Sequence, residues 1–173
     1  MELVFDIEAN GLNEIVINKK FNQEVTKVWC MVAKDIHTNK IYTFRENEIE
    51  QGVELLRKAD TIIGHNILMY DLPVLERFYG EINTPAVDTL IISRVMYPDI
   101  QNHPLGGNGL KQWGIHLGIF KEEYLGGFNN FSDDMLDYCI QDVEVSCAIW
   151  DAQLSFLNEN ESIIKLENAV TNI

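Results

Sequence analysis

Asp6 and Glu8 stand two residues apart in the otherwise apolar run Leu3-Val4-Phe5-Asp6-Ile7-Glu8. If that run is a strand, both carboxylates leave it on the same face. Two like charges held together away from water are costly unless a cation lies between them. A strand end open to solvent would account for the pair equally well. A second group, His65-Asn66-Ile67-Leu68-Met69-Tyr70-Asp71, follows the apolar Thr61-Ile62-Ile63-Gly64 and precedes residues at helical spacing. It therefore lies at the carboxyl end of a strand, where open α/β sheets place their ligands. Taken alone, Asp71 is also a favourable charge at a helix N-terminus, and Asn66 an ordinary residue in a strand–helix turn. In the third group, Tyr138 and Asp142 are four residues apart and share one face of a helix. A solvated face would explain Asp142, but not the apolar Val143, Val145, Cys147 and Ile149 around it. Carboxylate oxygens such as these are hard donors, of the kind that suits Mg²⁺ or Mn²⁺.

The elements that must position these groups follow from apolar periodicity. Leu3 to Glu8, Val28 to Ala33, Ile41 to Phe44 and Thr61 to Gly64 are predicted strands, with His37-Thr38-Asn39 as a hairpin connection. Glu46 to Ala59 has Ile49, Val53 and Leu56 at helical spacing, and a second helix starts close to Asp71, with Pro73 tolerated in its first turn. The order β-β-β-α-β-α predicts an α/β protein. Beyond it the chain turns helical, at Thr89 to Met96, Leu110 to Leu117 and, most strongly, Asp133 to Leu157. Pro98 to Gly109, rich in Gly, Asn and Pro, is expected to be a mobile loop, and a last short helix is expected near Ile163.

At 173 residues the chain fits a single domain with a sizeable core. It has no apolar run long enough to span a bilayer and no signal-like opening, which predicts a cytoplasmic protein without membrane contact. Cys30, Cys139 and Cys147 lack zinc-site spacing and read as small buried hydrophobes. The net charge of −14 argues against tight binding of a polyanion through Lys and Arg. Either nucleic acid is not the partner, or part of the acid is a metal site and the grip comes from cations and stacking.

Together and in this order, D-I-E at Asp6 to Glu8, N-x-x-x-Y-D ending at Asp71 and Y-x-x-x-D from Tyr138 to Asp142 resemble the DEDDy branch of the 3′–5′ exonucleases. The histidine branch would have His at position 137, which here is Asp. The segments F-D-I-E-A-N-G-L, Val87-Asp88-Thr89-Leu90 with Ser93-Arg94, and L-K-Q-W-G-I-H-L-G from Leu110 are similar to the proofreading domain of podovirus-type family A DNA polymerases. The resemblance covers roughly residues 1 to 157 and implies a ribonuclease H-like fold with a mixed five-stranded sheet flanked by helices. Residues 158–173 resemble the start of the linker helix to a polymerase part, so the chain is either a free-standing relative or a domain of something longer.

The resemblance further implies the activity: metal-dependent removal of nucleoside monophosphates from the 3′ end of single-stranded or frayed DNA, in proofreading or processing. Asp6, Glu8 and Asp142 would hold one of two ions; Asp6 would bridge to the other, and Asp71 would act through water. Tyr138 would aim the attacking water, since a phenol with a pKa near ~10 is a poor base at neutral pH. Leu12 would pack on the terminal base and Asn66 approach the strand end; a turn residue folding back on the core would serve as well for Leu12. Asp88 reads as a capping residue or as one that supports the ligands from behind, not as a ligand; His103 and His116 read as structural or surface residues, and Arg94 and Lys111 as phosphate contacts. A polymerase module, in cis or in trans, would be the natural partner, and a phage protein would act in the host cytoplasm. Two rivals stand beside this reading: the same site acting on RNA, and a non-catalytic scaffold or nucleic-acid-binding domain.

Overall fold

The computed structural model describes residues 1–11, 25–100, 103–119 and 124–159. Leu12 and the helix expected near Ile163 lie outside the described residues. Among the described residues, five strands form one mixed sheet: β1 (Glu2–Ala9), β2 (Val28–Asp35), β3 (Ile41–Arg45), β4 (Thr61–Gly64) and β5 (Ala86–Asp88), in the spatial order β3-β2-β1-β4-β5. β1 pairs antiparallel with β2 and parallel with β4, which makes it the central strand. β2–β3 is antiparallel and β4–β5 parallel. Among the described residues, five helices accompany the sheet: α1 (Ile49–Arg57), α2 (Asp71–Tyr79), α3 (Thr89–Met96), α4 (Leu110–His116) and α5 (Asp133–Glu159).

The alternation of β1 decides the layers. Leu3, Phe5, Ile7 and Ala9 point to one face and pack with Val53 and Leu56 of α1 and Val74 and Leu75 of α2. Val4 points to the other face and packs with Met135, Leu136, Cys139 and Val143 of α5. Asp6 and Glu8 share the parity of Val4, so their carboxylates project toward α5. Covered on both faces, β1 reads as an apolar run rather than an alternating strand. A third cluster, with Leu105, Trp113, Val145 and Ile149, joins α4 to the far half of α5.

The ribonuclease H-like fold and its five-stranded sheet are those the motifs implied, with differences in detail. β5 is absent from the element order predicted by apolar runs, because Ala-Val-Asp is too short to show a period. α1 starts at Ile49 rather than Glu46. The backbone N–H of Glu48 bonds the carbonyl of Arg45 at 2.7 Å, and its carboxylate accepts the Arg45 N–H at 3.0 Å, so these residues form a turn. Residues 103–109 are not the loose loop their composition suggested. Leu105 is buried against Trp113, and the Asn108 carbonyl accepts a hydrogen bond from His65 Nε2 at 2.7 Å. Cys30 and Cys139 are buried as expected, whereas Cys147 is only partly so. No described helix is long and apolar enough to cross a membrane.

Candidate active site

β1 extends beyond its partner on one side. Its parallel pairing with β4 ends at Val4↔Ile63, so the edge from Phe5 onward is left open there. Asp71, the first residue of α2, fills that edge: its Oδ1 accepts the backbone N–H of Ile7 at 3.1 Å. Ile7 lies between Asp6 and Glu8, so the second motif is fastened to the backbone of the first. Gly64 ends β4 where a Cβ would stand 2.8 Å from the Phe5 carbonyl oxygen and 2.3 Å from Ile67 Cγ2, a space only glycine fits.

The turn from Gly64 to Asp71 is held from outside by Asp88. One carboxylate oxygen accepts the N–H of Asn66 at 2.9 Å and that of Leu90 at 2.9 Å; the other accepts the N–H of Leu68 at 3.1 Å. Asp88 therefore caps α3 and fixes the second-motif turn at once, including Asn66 in its left-handed conformation, φ 70°. His65 braces the turn from within. Its Nε2 faces the Asn108 carbonyl, which can only accept, so Nε2 carries a proton. Its Nδ1 meets the Thr89 hydroxyl at 2.8 Å.

α5 brings the third motif to the face where Asp6 and Glu8 project. Asp142 is buried and Tyr138 half-buried, one helical turn apart. Between them in sequence, Cys139 points into the sheet, its Sγ 3.6 Å from Asp6 Oδ2. Donor atoms of Asp6, Glu8 and Cys139 lie within 4.8 Å of one another, close enough to share one ion. The Tyr124 ring stands 5.6 Å from that of Tyr138.

Burial and mutual repulsion dominate the electrostatics of the described site residues. Burial pushes the Asp71 carboxyl up to about 7; the charges of Asp88 and Asp142 add to the effect, while the N–H of Ile7 and its own N–H oppose it. Burial raises the Tyr70 phenol as well, helped by Asp71, Glu8 and Asp6. The Cys139 thiol is likewise raised by burial, by its hydrogen bond with Cys30, and by Asp6 and Glu8. Buried carboxylates that repel one another, with hard oxygens converging on one place, fit divalent cations.

Asp6, Glu8, Asp71, Tyr138 and Asp142 are thus assembled on β1, the start of α2 and one face of α5, with Asn66 in the adjoining turn. Leu12 lies outside the described residues. Arg94 and Lys111 are exposed on α3 and α4. His103 and His116 are ring-packed, 4.1 Å from Tyr97 and 5.9 Å from Trp113 respectively. Sequence reasoning missed Cys139, His65 and Tyr124. Cys139, inside the Tyr138–Asp142 motif, and His65, at the head of the second motif, carried a signal that could have found them; Tyr124 did not. A separate cavity of about 270 Å³, lined by Lys34, Glu144, Cys147 and Asp151 among others, holds none of the candidate residues.

No family model matches the chain. It is 28% identical to the DNA-directed DNA polymerases of Enterobacteria phage T3 and Escherichia phage T7, over 88% of its own length and 26% of theirs. The chain thus spans about a quarter of the length of these relatives. Among solved structures it superposes on Brucella melitensis NrnC with a TM-score of 0.65 at 18% identity, covering 97% of this chain and 79% of that one. Escherichia coli RNase D, an exoribonuclease involved in structured RNA processing, gives a TM-score of 0.64 at 13% identity, over 98% of this chain and 43% of RNase D. The chain thus shares its fold with NrnC and RNase D and is similar in sequence to about a quarter of the two phage DNA polymerases.

Proposed function

We propose that the domain hydrolyses the last phosphodiester bond at the 3′ end of a DNA strand, releasing nucleoside monophosphates, with two Mg²⁺ or Mn²⁺ ions. The observation that carries this reading is the fastening of Asp71 to the Ile7 N–H, between the two first-motif carboxylates and within the electrostatic reach of Asp142. A scaffold has no use for like charges gathered at such cost.

Two divalent ions, when bound, supply an activated water and cover for the charge on the leaving oxygen. Asp6, Glu8 and Asp142 would hold one, with Asp6 shared by the second and Asp71 acting through water. Tyr138 would accept or donate a hydrogen bond to the attacking water and aim it. The Tyr124 ring on its flank limits where the phenol can swing. Asn66, fixed by Asp88, would meet the strand end, and Leu12 would pack on the terminal base.

DNA is favoured by sequence: the 28% relatives are DNA polymerases, whereas RNase D shares the fold at 13% identity. That fold supports the second reading, the same chemistry on RNA. We further infer that a polymerase module, joined through residues 158–173 or acting in trans, is the natural partner, and that the domain works in the cytoplasm. The deciding experiment uses matched DNA and RNA strands labelled at the 5′ end, with Mg²⁺, Mn²⁺ or chelator. A metal-dependent ladder shortening from the 3′ end of DNA is expected. Faster shortening of RNA would transfer the assignment to the second reading, and intact strands would overturn both.

A further inference from the structure

Among the described residues, the most exposed large apolar side chain is Leu125, at 92%. Phe128, three residues on, is 41% exposed. Both belong to the Tyr124–Phe131 segment that enters α5, and this segment is built rather than slack. Trp29 Nε1 donates to the Phe128 carbonyl at 2.8 Å, and the Tyr124 hydroxyl lies 3.2 Å from both the Gly127 carbonyl and Ser132 Oγ. Gly126 lets the chain fold over Tyr124: a Cβ there would stand 2.3 Å from the ring. The Phe128 ring sits edge-on to Tyr124 at 5.2 Å, and Tyr124 in turn lies 5.6 Å from Tyr138. An aromatic path therefore runs from the Tyr138 phenol through Tyr124 to the half-exposed Phe128, with Leu125 exposed three residues before it.

Charge alone does not explain how a chain of net charge −14 holds a strand. Two described cations beside this path already face carboxylates: Lys27 pairs with Glu46 at 3.1 Å while lying over the Trp29 ring, and Arg45 pairs with Asp133 at 2.7 Å while lying over Phe131. Stacking of unpaired bases on aromatic and apolar side chains needs no net positive charge, and it discriminates single strands from duplex because paired bases hide their faces.

We propose that Leu125 and Phe128, backed by Tyr124, form a stacking ledge for unpaired bases of the strand next to the scissile bond. The ledge rests on the proposed nuclease reading and deepens it: it makes the domain selective for frayed over paired ends. Leu125→Ser/Phe128→Ser in the full chain tests it, since both side chains are exposed and thermal unfolding verifies the fold. Anisotropy of a 5′-labelled octanucleotide reads binding without needing cleavage. The double variant is expected to bind about tenfold more weakly, by the usual worth of one base stack. The loss should be the same at low and high salt, and a blunt duplex should bind variant and native protein alike. Native-level binding of the octanucleotide by the folded variant, or a loss that vanishes in salt, would overturn the ledge and leave the face to a protein contact. Cleavage is scored separately. A native chain that binds but does not cut sinks the nuclease reading while the ledge is still judged by the binding ratio; a native chain that binds no strand overturns the ledge itself.

Discussion

Asp71→Asn should make the metal-free protein more stable while weakening its response to metal. Asp71 is 3% exposed, and its carboxyl titrates at about 7 rather than the ordinary 3.8. Below about pH 4 the group is protonated in both folded and unfolded chains and contributes nothing. Between about pH 4 and pH 7 the unfolded chain gives up the proton while the folded one keeps it, so stability falls as pH rises, at about 1.4 kcal/mol per unit. Above pH 7 the deficit levels off at a few kcal/mol, on the order of 2–4 once relaxation of the neighbouring acids is allowed for. Asparagine keeps the oxygen that accepts the Ile7 N–H and omits the charge, so the variant escapes the deficit. At 2–4 °C per kcal/mol for a chain of this size, the gain is roughly 5–15 °C in Tm.

The assay is thermal unfolding of both proteins in chelator at pH 4.5 and pH 8, and at pH 8 with Mg²⁺ or Mn²⁺. The expected pattern is a small difference at pH 4.5, a clear advantage for the variant at pH 8 in chelator, and a metal-induced rise in Tm that is larger for the native protein. Cleavage by the variant should fall by orders of magnitude, the usual trade of activity for stability at a strained site. A variant no more stable than the native protein at pH 8 in chelator would refute the claim that these carboxylates are held together against their repulsion. An equal metal response in the two proteins would refute the placing of Asp71 beside an ion.

Asp6→Ala and Asp142→Ala should each abolish metal-dependent cleavage in a protein that still unfolds cooperatively; near-native activity in either would sink the two-ion assignment. Tyr138→Phe keeps the ring against Tyr124 and loses only the hydroxyl, so its rate should fall less than that of a carboxylate variant, by ~10- to 100-fold. Asp88→Ala strips the acceptor from three backbone N–H groups, and denaturant unfolding should register a loss of about 2–4 kcal/mol. An Asp88→Ala protein as stable as the native one would show that the second-motif turn holds itself.

The five-stranded α/β fold was legible in the sequence, and so was which candidate side chains share a face, for a physical reason. A two-residue spacing on a strand and a four-residue spacing on a helix each fix a shared face, so Asp6 with Glu8 and Tyr138 with Asp142 could be paired without coordinates. Long periodic segments such as α5 were legible too. Short or tertiary features were not: β5 has only three residues, the residues before Ile49 are used in a turn, and Leu105 owes its burial to Trp113 across the fold. Nothing in the spacing from Asp71 to Ile7 announces that one accepts from the other, 64 residues away.

One geometric mismatch connects these facts. Because β4 is a four-residue strand and β1 an eight-residue one, the central strand is left with an open edge at the end where its carboxylates stand. An ordinary sheet would close that edge with backbone, which carries no charge. Here the chain closes it with Asp71, adding a third carboxylate to the edge, and covers the adjacent face with α5, adding a fourth. The parity of β1 sends Asp6 and Glu8 to the α5 side, and the short β4 admits Asp71 from the other. Convergence of the acids thus follows from strand length and strand alternation, and a bound cation would relieve the repulsion that this convergence builds in. Lengthening β4 by designed pairing, so that backbone replaced Asp71 at the Ile7 N–H, should therefore raise stability in chelator and remove both the metal response and cleavage together.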